Sequence, residues 1–175
     1  MGESRAPEAP RSSSAATQRG HLRRLEHVGI DHAIYFITTC VADRRKQLAR
    51  AEVAEIVREE FVAAPVRYGW TIGRYVLMPD HIHFFCAQGG ARDPAPLSRF
   101  VGGFKQWTAK RIAPFLGTAS GLWQREFFDH VLRRSESYEA KWTYVRENPV
   151  RAGLAKLAED WPFAGEIAPL EFRTL

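Results

Sequence analysis

The sequence predicts an α+β fold in which helices cover one face of a single antiparallel sheet. Four segments rich in β-branched and aromatic residues alternate with three segments whose apolar residues recur at helical spacing. Their order along the chain is β-α-β-β-α-β-α, which is that of a ferredoxin-like sandwich. A chain of 175 residues, 45% of them hydrophobic, suits one domain with short extensions.

The predicted strands are residues 33–40, 70–77 and 81–87, with a fourth inside 121–132. The first is a nearly continuous run of apolar and β-branched residues, which is typical of a central strand. A tight connection at Pro79 and Asp80 is expected to join the second strand to the third.

The predicted helices are residues 51–68, 96–112 and 135–147. Pro65 is expected to interrupt the first helix, because proline removes a helical hydrogen bond. Gly102 and Gly103 each weaken the second by about 1 kcal/mol relative to Ala, or else allow a partner to approach closely. Ser135 is expected to cap the third helix, which stops before Pro149.

Residues 1–20 are rich in Ser, Ala, Pro and Arg and have almost no large apolar side chains, so this part of the chain is expected to be disordered. No apolar run approaches the roughly 18 residues of a membrane span, and no signal-peptide core is present, so we expect a cytoplasmic protein with no membrane partner. Cys40 and Cys86 are expected to be reduced packing residues, with a single buried disulfide as the alternative.

Basic and aromatic residues are interleaved between positions 97 and 134. This stretch holds seven basic and two acidic residues, and the difference of five equals the net charge of the whole chain. Basic groups for phosphates and aromatic rings for unstacked bases are typical of a protein that binds single-stranded nucleic acid. The alternative is that the aromatics form core and the charges a solvated helix face. The DNA-binding candidates are Lys105, Lys110, Arg111, Trp123, Arg125, Arg133 and Arg134.

The first candidate for chemistry is the pair His81 and His83 on the third predicted strand. Residues two apart on a strand point the same way, so both imidazoles would project from one side while Ile82 enters the core. Two neutral imidazoles so placed can converge on one metal, and Asp80 could orient one ring. The alternative is a pair of histidines on a solvated face.

The second candidate is Tyr144 with Asn148, which are neighbours on one face of a helix because they are four residues apart. Taken separately, a core tyrosine and a turn asparagine are the alternatives. Together with the histidines they suggest a metal site of three neutral ligands, which leaves the full charge of Mg²⁺ or Mn²⁺ for a substrate phosphate that Tyr144 could attack. A free phenol is almost entirely protonated at neutral pH, so the site must favour the phenolate.

Three runs of sequence carry a resemblance to a known family. MPDHIHFF resembles the His-hydrophobic-His (HUH) motif of single-tyrosine transposases of small bacterial insertion sequences. LWQREFFDHVLR and YVRENPVRAGLA resemble more specifically the REP-associated tyrosine transposases, which are linked to repetitive extragenic palindromes in bacterial chromosomes. The resemblance covers residues 29–157, and the three runs have the expected order and spacing. It implies a disordered or extended N-terminal tail (1–28), a transposase domain (29–157) and a C-terminal extension (158–175).

The resemblance implies a ferredoxin-like core, His81, His83 and Asn148 as ligands of Mg²⁺ or Mn²⁺, and Tyr144 as nucleophile. It implies a single-stranded DNA hairpin as substrate, cut to leave a 5′-phosphotyrosine link and a free 3′-hydroxyl. A monomer and a homodimer are both open. Two other functions stay open: a hairpin-binding protein without catalysis, and a metal-dependent hydrolase in which Tyr144 is dispensable.

Overall fold

The structure is a computed structural model that describes residues 33–89, 93–117, 121–132 and 138–170. The predicted N-terminal tail lies outside these ranges, as does Ser135, the expected helix cap. The strands are β1 (Ile34–Cys40), β2 (Trp70–Leu77), β3 (His81–Gln88), β4 (Phe128–Leu132) and β5 (Ala164–Glu166). The helices are α1 (Ala51–Tyr68), α2 (Leu97–Leu116), α3 (Tyr138–Arg146) and α4 (Asn148–Arg151), with short 3₁₀ helices at Ala42–Arg44 and Ala158–Asp160.

The five strands form one antiparallel sheet in the order β4-β1-β3-β2-β5. The first four are the predicted strands, and their order confirms the α+β fold class. β5 was not predicted, because Ala-Gly-Glu has neither β-branched nor aromatic residues. It forms because the open edge of β2 provides hydrogen-bonding partners for it, with Tyr75 opposite Gly165.

α1 and α2 cover one face of the sheet with an aromatic core. Phe61 on α1 stacks on Phe104 of α2 at a centroid distance of 5.0 Å, and both rings pack on Phe84 of β3. All three side chains are at most 1% exposed. Burial of an aromatic ring contributes about 2 kcal/mol or more, so this layer supplies a large share of the stability.

α3 lies on the opposite face, so the expectation that all helices share one face is wrong. Phe85 points away from Phe84 because side chains alternate along a strand, and its ring packs edge-on against Tyr138 of α3 at 4.8 Å. The apolar side of α3, with Tyr138 and Val145, therefore completes a second core. An amphipathic pattern predicts that a helix is buried on one side, but it does not specify the sheet face that the helix covers.

Two helix details differ from the sequence expectation. Pro65 does not interrupt α1, which continues to Tyr68 and ends at Gly69 in the left-handed conformation (φ 74°), where the Gly69 amide donates to the Pro65 carbonyl. Gly103 allows a close approach: a side chain there would collide with the Tyr68 hydroxyl. The alternative that the glycine allows a close approach is therefore correct for Gly103.

The described part of the C-terminal extension packs against β2 and α3. Trp161 Nε1 donates to the Leu77 carbonyl at 3.0 Å, and β5 follows at once. Gly73 has no room for a side chain, because a Cβ there would lie 2.7 Å from Leu170 Cδ1 and 2.9 Å from the Tyr138 hydroxyl. The end of the chain and the start of α3 thus meet at one position on β2.

The two cysteines are unpaired, as expected. Cys40 lies on the α3 side of the sheet, where its sulfur accepts a hydrogen bond from Arg44, while Cys86 is buried on the α1 side. No helix in the described ranges is long and apolar enough to cross a membrane.

Candidate active site

His81 and His83 project from the α3 side of the sheet at the start of β3. Ile82 between them is fully buried beneath α1 and α2, which confirms the predicted alternation. The two imidazole centroids are 4.6 Å apart and the two Nε2 atoms 3.0 Å apart. The side chains therefore turn their Nε2 atoms towards one point.

Hydrogen bonds at Nδ1 orient both rings. His81 Nδ1 lies 2.6 Å from Asp80 Oδ1, and because a carboxylate only accepts, His81 donates from Nδ1 and has a lone pair at Nε2. His83 Nδ1 lies 2.8 Å from the Thr38 hydroxyl, which can donate or accept. His83 can therefore donate from Nε2 to His81, or hold its proton at Nδ1 and present a second lone pair.

A strained turn after β1 places Arg44 beside Asp80, with Arg44 Nε 2.9 Å from Asp80 Oδ2. Asp43 and Arg44 are both in the left-handed conformation, with φ of 57° and 54°. This conformation costs a non-glycine residue about 1 kcal/mol or more. The ion pair thus fixes the carboxylate that orients His81.

Burial keeps both histidines neutral. Burial, with smaller contributions from the neighbouring His81 and Arg44, lowers the pKa of His83 to about 3. Burial also lowers the pKa of His81, and it outweighs the hydrogen bond to Asp80, which acts in the opposite direction. Neutral imidazole is the form that can bind a metal ion.

Tyr144 lies near the end of α3, and Asn148 begins α4. The Tyr144 side chain is 63% exposed, whereas that of the next residue, Val145, is 2% exposed and packs into the second core. The alternative of a core tyrosine is therefore wrong. Val145 anchors this turn of α3 to the sheet, and Tyr144 faces outward beside it.

Arg151, which the sequence analysis did not single out, joins Tyr144 to Asn148. Its guanidinium carbon lies 4.1 Å from the centroid of the Tyr144 ring, its Nη2 donates to the Tyr144 carbonyl at 2.5 Å, and the same atom donates to Asn148 Oδ1. Positions 144, 148 and 151 are four and three residues apart, which is the spacing of neighbours on a helix face. That spacing was the signal that could have identified Arg151.

The predicted residues line one open cleft of about 410 Å³. The histidine pair forms its floor on the sheet, and α3 and α4 contribute the tyrosine and the asparagine. Its lining consists of Met78, His81, His83, Tyr144, Asn148, Arg151 and Ala152.

The histidine pair has suitable chemistry for a divalent metal. Two ligands at right angles on an ion with bonds of about 2.1 Å are about 3.0 Å apart, which matches the Nε2 separation. Asn148 Oδ1 lines the same cleft but accepts the hydrogen bond from Arg151, so it would have to exchange that partner to bind a metal. Within the described ranges, no three His, Cys, Asp or Glu side chains form a metal-binding group.

Two of the predicted DNA-binding residues, Lys105 and Arg111, support other parts of the chain. Lys105 donates to the carbonyls of Gln124, Arg125 and Glu126 at 2.9–3.3 Å, and so supports the segment before β4. Arg111 pairs with Glu59 and Glu60 of α1.

Trp123 is a correction to the sequence prediction. It is 9% exposed, packs on Phe104, and donates from Nε1 to the Thr108 hydroxyl at 2.9 Å. Neither ring face is free for a base, so Trp123 belongs to the core beneath α1 and α2.

The remaining candidates are exposed or lie outside the described ranges. Lys110 is exposed on α2, with its ammonium 5.6 Å from the Trp107 ring centroid, and Arg125 is exposed before β4. Arg133 and Arg134 lie outside the described residues. Because α2 is on the face opposite the histidines, Lys105, Lys110 and Arg111 are not part of the cleft.

Comparison with known protein families identifies the class of protein that has this fold and this cleft. The family model of IS200-like transposases matches residues 30–148, and the chain belongs to that family. Among individual relatives, it is similar to the REP-associated tyrosine transposase of Escherichia coli K12, with 28% identity over 133 residues that cover 74% of each chain. It is also similar to a Haemophilus influenzae protein described as a putative REP-associated tyrosine transposase, with 25% identity over 75% of this chain and 78% of the relative.

A solved structure has the same fold. It is described as a REP-associated tyrosine transposase bound to a REP hairpin, and it matches with a TM-score of 0.61 and 23% identity over 82% of both chains. The likeness shows that the two proteins share a fold.

Proposed function

We propose that this chain cuts and rejoins single-stranded DNA at hairpins, with Tyr144 as covalent nucleophile and a divalent metal, Mg²⁺ or Mn²⁺, held by His81, His83 and Asn148. The observation that carries the proposal is the shared cleft, in which an exposed phenol faces the same space as two neutral imidazoles. The hairpin substrate is suggested by the relative that was solved with a REP hairpin.

The reaction exchanges one phosphoester for another. The Tyr144 oxygen attacks the phosphorus and loses its proton, the bond from phosphorus to the 3′-oxygen breaks, and that oxygen leaves as a 3′-hydroxyl after gaining a proton. DNA is left joined to Tyr144 through its 5′-phosphate. A second 3′-hydroxyl can reverse the step, because the phosphotyrosine conserves the bond and no external energy source is needed.

The residues around the cleft have separate parts in this reaction. When bound, the metal would supply positive charge at the phosphate oxygens. Asp80 and Thr38 hold the imidazoles so that their Nε2 atoms face the cleft. Arg151 restrains the Tyr144 ring by packing on its face, and its guanidinium is a second positive charge for the phosphate.

A denaturing protein gel tests the proposal. The protein is incubated with Mn²⁺ and labelled hairpins made from the palindromes that flank its gene. We expect a labelled covalent band for the native chain and none for Tyr144→Phe, which removes only the phenol oxygen. A covalent band that persists in Tyr144→Phe would contradict the assignment of the nucleophile.

A second candidate function is hairpin binding without catalysis. The contact that favours it is the hydrogen bond from Arg151 to Asn148 Oδ1, which occupies the oxygen that would bind the metal. The same gel, run beside a binding assay, distinguishes the candidates. Retention of an uncut hairpin indicates binding alone, and cleavage without a covalent band indicates hydrolysis by activated water.

A further inference from the structure

Phe128, the first residue of β4, lies on the same face of the sheet as the histidine pair. Its register partner on β1 is Thr38, whose partner on β3 is His83. Directly paired residues of neighbouring antiparallel strands point to the same side, so the three side chains form one row across the sheet. Neighbouring strands are about 4.8 Å apart, which puts Phe128 about 10 Å from His83.

The Phe128 ring is turned towards solvent. Its side chain is 51% exposed, whereas that of Phe127 packs on the core beneath α1 and α2. In the described part of the chain, no aromatic ring or cation packs on Phe128. Single exposed apolar residues are common, so exposure alone indicates little. What distinguishes Phe128 is its place in a row that ends at the cleft.

A positive charge lies on the same face. Lys141 of α3 places its ammonium 5.5 Å from the centroid of Phe36, and Phe36 stacks on His83 at 5.4 Å. Lys141 precedes Tyr144 by one helical turn, so the two share a side of α3. An ammonium and an open aromatic ring thus lie around the histidine pair, and this is the combination that binds phosphates and unstacked bases of a single strand.

We propose that Phe128 stacks on an unpaired nucleobase of the DNA strand that enters the cleft, while Lys141 contacts a phosphate of the same strand. This inference rests on the proposed function, because it takes single-stranded DNA as the substrate. The base belongs to a nucleotide near the phosphate that reacts, because the backbones of Phe128 and His83 are only about 10 Å apart. The other possible occupant of the ring, a second copy of this chain, becomes an outcome of the test.

The test compares two exposed phenylalanines. Phe115 on α2 is 54% exposed, close to the 51% of Phe128, and lies on the side of the sheet away from α3 and the cleft. Binding of labelled oligo(dT) of about 15 nucleotides is measured by fluorescence anisotropy. We expect Phe128→Ala to weaken binding about 5- to 100-fold, Phe128→Trp to bind like the native chain, and Phe115→Ala to change nothing. Thermal unfolding of both alanine variants should match the native chain.

A strand of the same length made only of abasic nucleotides separates stacking from other effects. It keeps the phosphates, so Phe128→Ala should bind it as the native chain does, whereas Lys141→Ala should bind both strands more weakly and lower the salt slope by about 1. The inference is overturned if the native chain does not bind oligo(dT), if Phe128→Ala binds it normally, or if its defect persists on the abasic strand. It is also overturned if Phe128→Ala dissociates a dimer, which identifies a second copy as the occupant.

The adduct gel keeps the two proposals distinguishable. Normal adduct formation with normal oligo(dT) binding by Phe128→Ala removes the stacking inference and leaves the nucleophile in place. If the native chain forms no adduct, but Phe128→Ala binds oligo(dT) more weakly and the abasic strand normally, the catalytic proposal is wrong and the stacking inference remains.

Discussion

The two faces of the sheet are covered to very different degrees. One carries α1 and α2, of 18 and 20 residues, over a continuous aromatic core. The other carries α3, of nine residues, and leaves the histidine pair at an open cleft. Adjacent residues of β3 therefore have different surroundings, with Phe84 in the core and His83 at the cleft. The comparison indicates that one face is covered along its length, whereas the other has a smaller core and leaves space for an open cleft beside it.

The largest expected effect is on the exposed face. Tyr144→Phe should lower adduct formation on the order of a thousand-fold or more, because no other group replaces a covalent nucleophile. Hairpin affinity and the unfolding midpoint should stay unchanged, since the Tyr144 side chain is 63% exposed. Timed gels with native protein as the reference measure the effect, and an equal loss of binding would argue against a purely chemical role.

Adjacent residues of β3 allow a direct comparison of the faces. Phe84→Ala should lower the free energy of unfolding by about 3–5 kcal/mol, because it leaves a cavity beneath α1 and α2. His83→Ala should lower it by less than Phe84→Ala does, because it removes polar contacts with Thr38 and His81 at an open cleft and not a ring from the core, and it should strongly reduce adduct formation. Urea unfolding and the gel assay measure the two quantities. Similar unfolding energies for both variants would break the distinction between the faces.

A smaller effect is expected at the carboxylate that orients His81. Asp80→Ala should lower Mn²⁺ affinity or adduct formation about 10- to 100-fold, as removal of a partner that orients a metal ligand does. Asp43→Asn is the control, because Asp43 is an exposed carboxylate in the turn after β1 and pairs with Arg45, not with either histidine. Mn²⁺ binding followed by electron paramagnetic resonance checks the prediction, and equal effects of both substitutions would contradict it.

The smallest effect is expected on the face covered by α1 and α2. Lys110→Ala on α2 should change the salt slope of hairpin binding by less than about 1, since Lys110 is on the side of the sheet away from the cleft. Affinity titrations at several salt concentrations test this. A drop as large as that of Lys141→Ala would mean that DNA also contacts α2.

Local sequence pattern was sufficient to predict most of the fold. The bounds of β2 and α1 agree with the prediction. Strand alternation and helical periodicity are patterns within a single segment, so the sequence of that segment is enough to detect them. β5 could not be predicted, since its three residues form a strand only where the edge of β2 offers partners. The side of the sheet that α3 covers depends on Phe85 and Tyr138, which are distant in sequence.

The candidate site follows the same rule. The spacing of His81 and His83, and that of Tyr144 and Asn148, are local and could be read from the sequence. The ion pair of Arg44 with Asp80 joins two separate segments and depends on a left-handed turn that neither residue type requires. Trp123 was misassigned because an interleaved aromatic has the same pattern in a core as on a binding surface.

The crowded position at Gly73 links the placement of Tyr144 to the C-terminal part of the chain. Leu170 and Tyr138 meet there, and Tyr138 begins the helix that carries Tyr144 less than two turns later. Loss of the last strand and Leu170 would open a void under the first turn of α3 and allow the helix to tilt. The position of the Tyr144 phenol in the cleft is therefore set partly by residues that do not line the cleft.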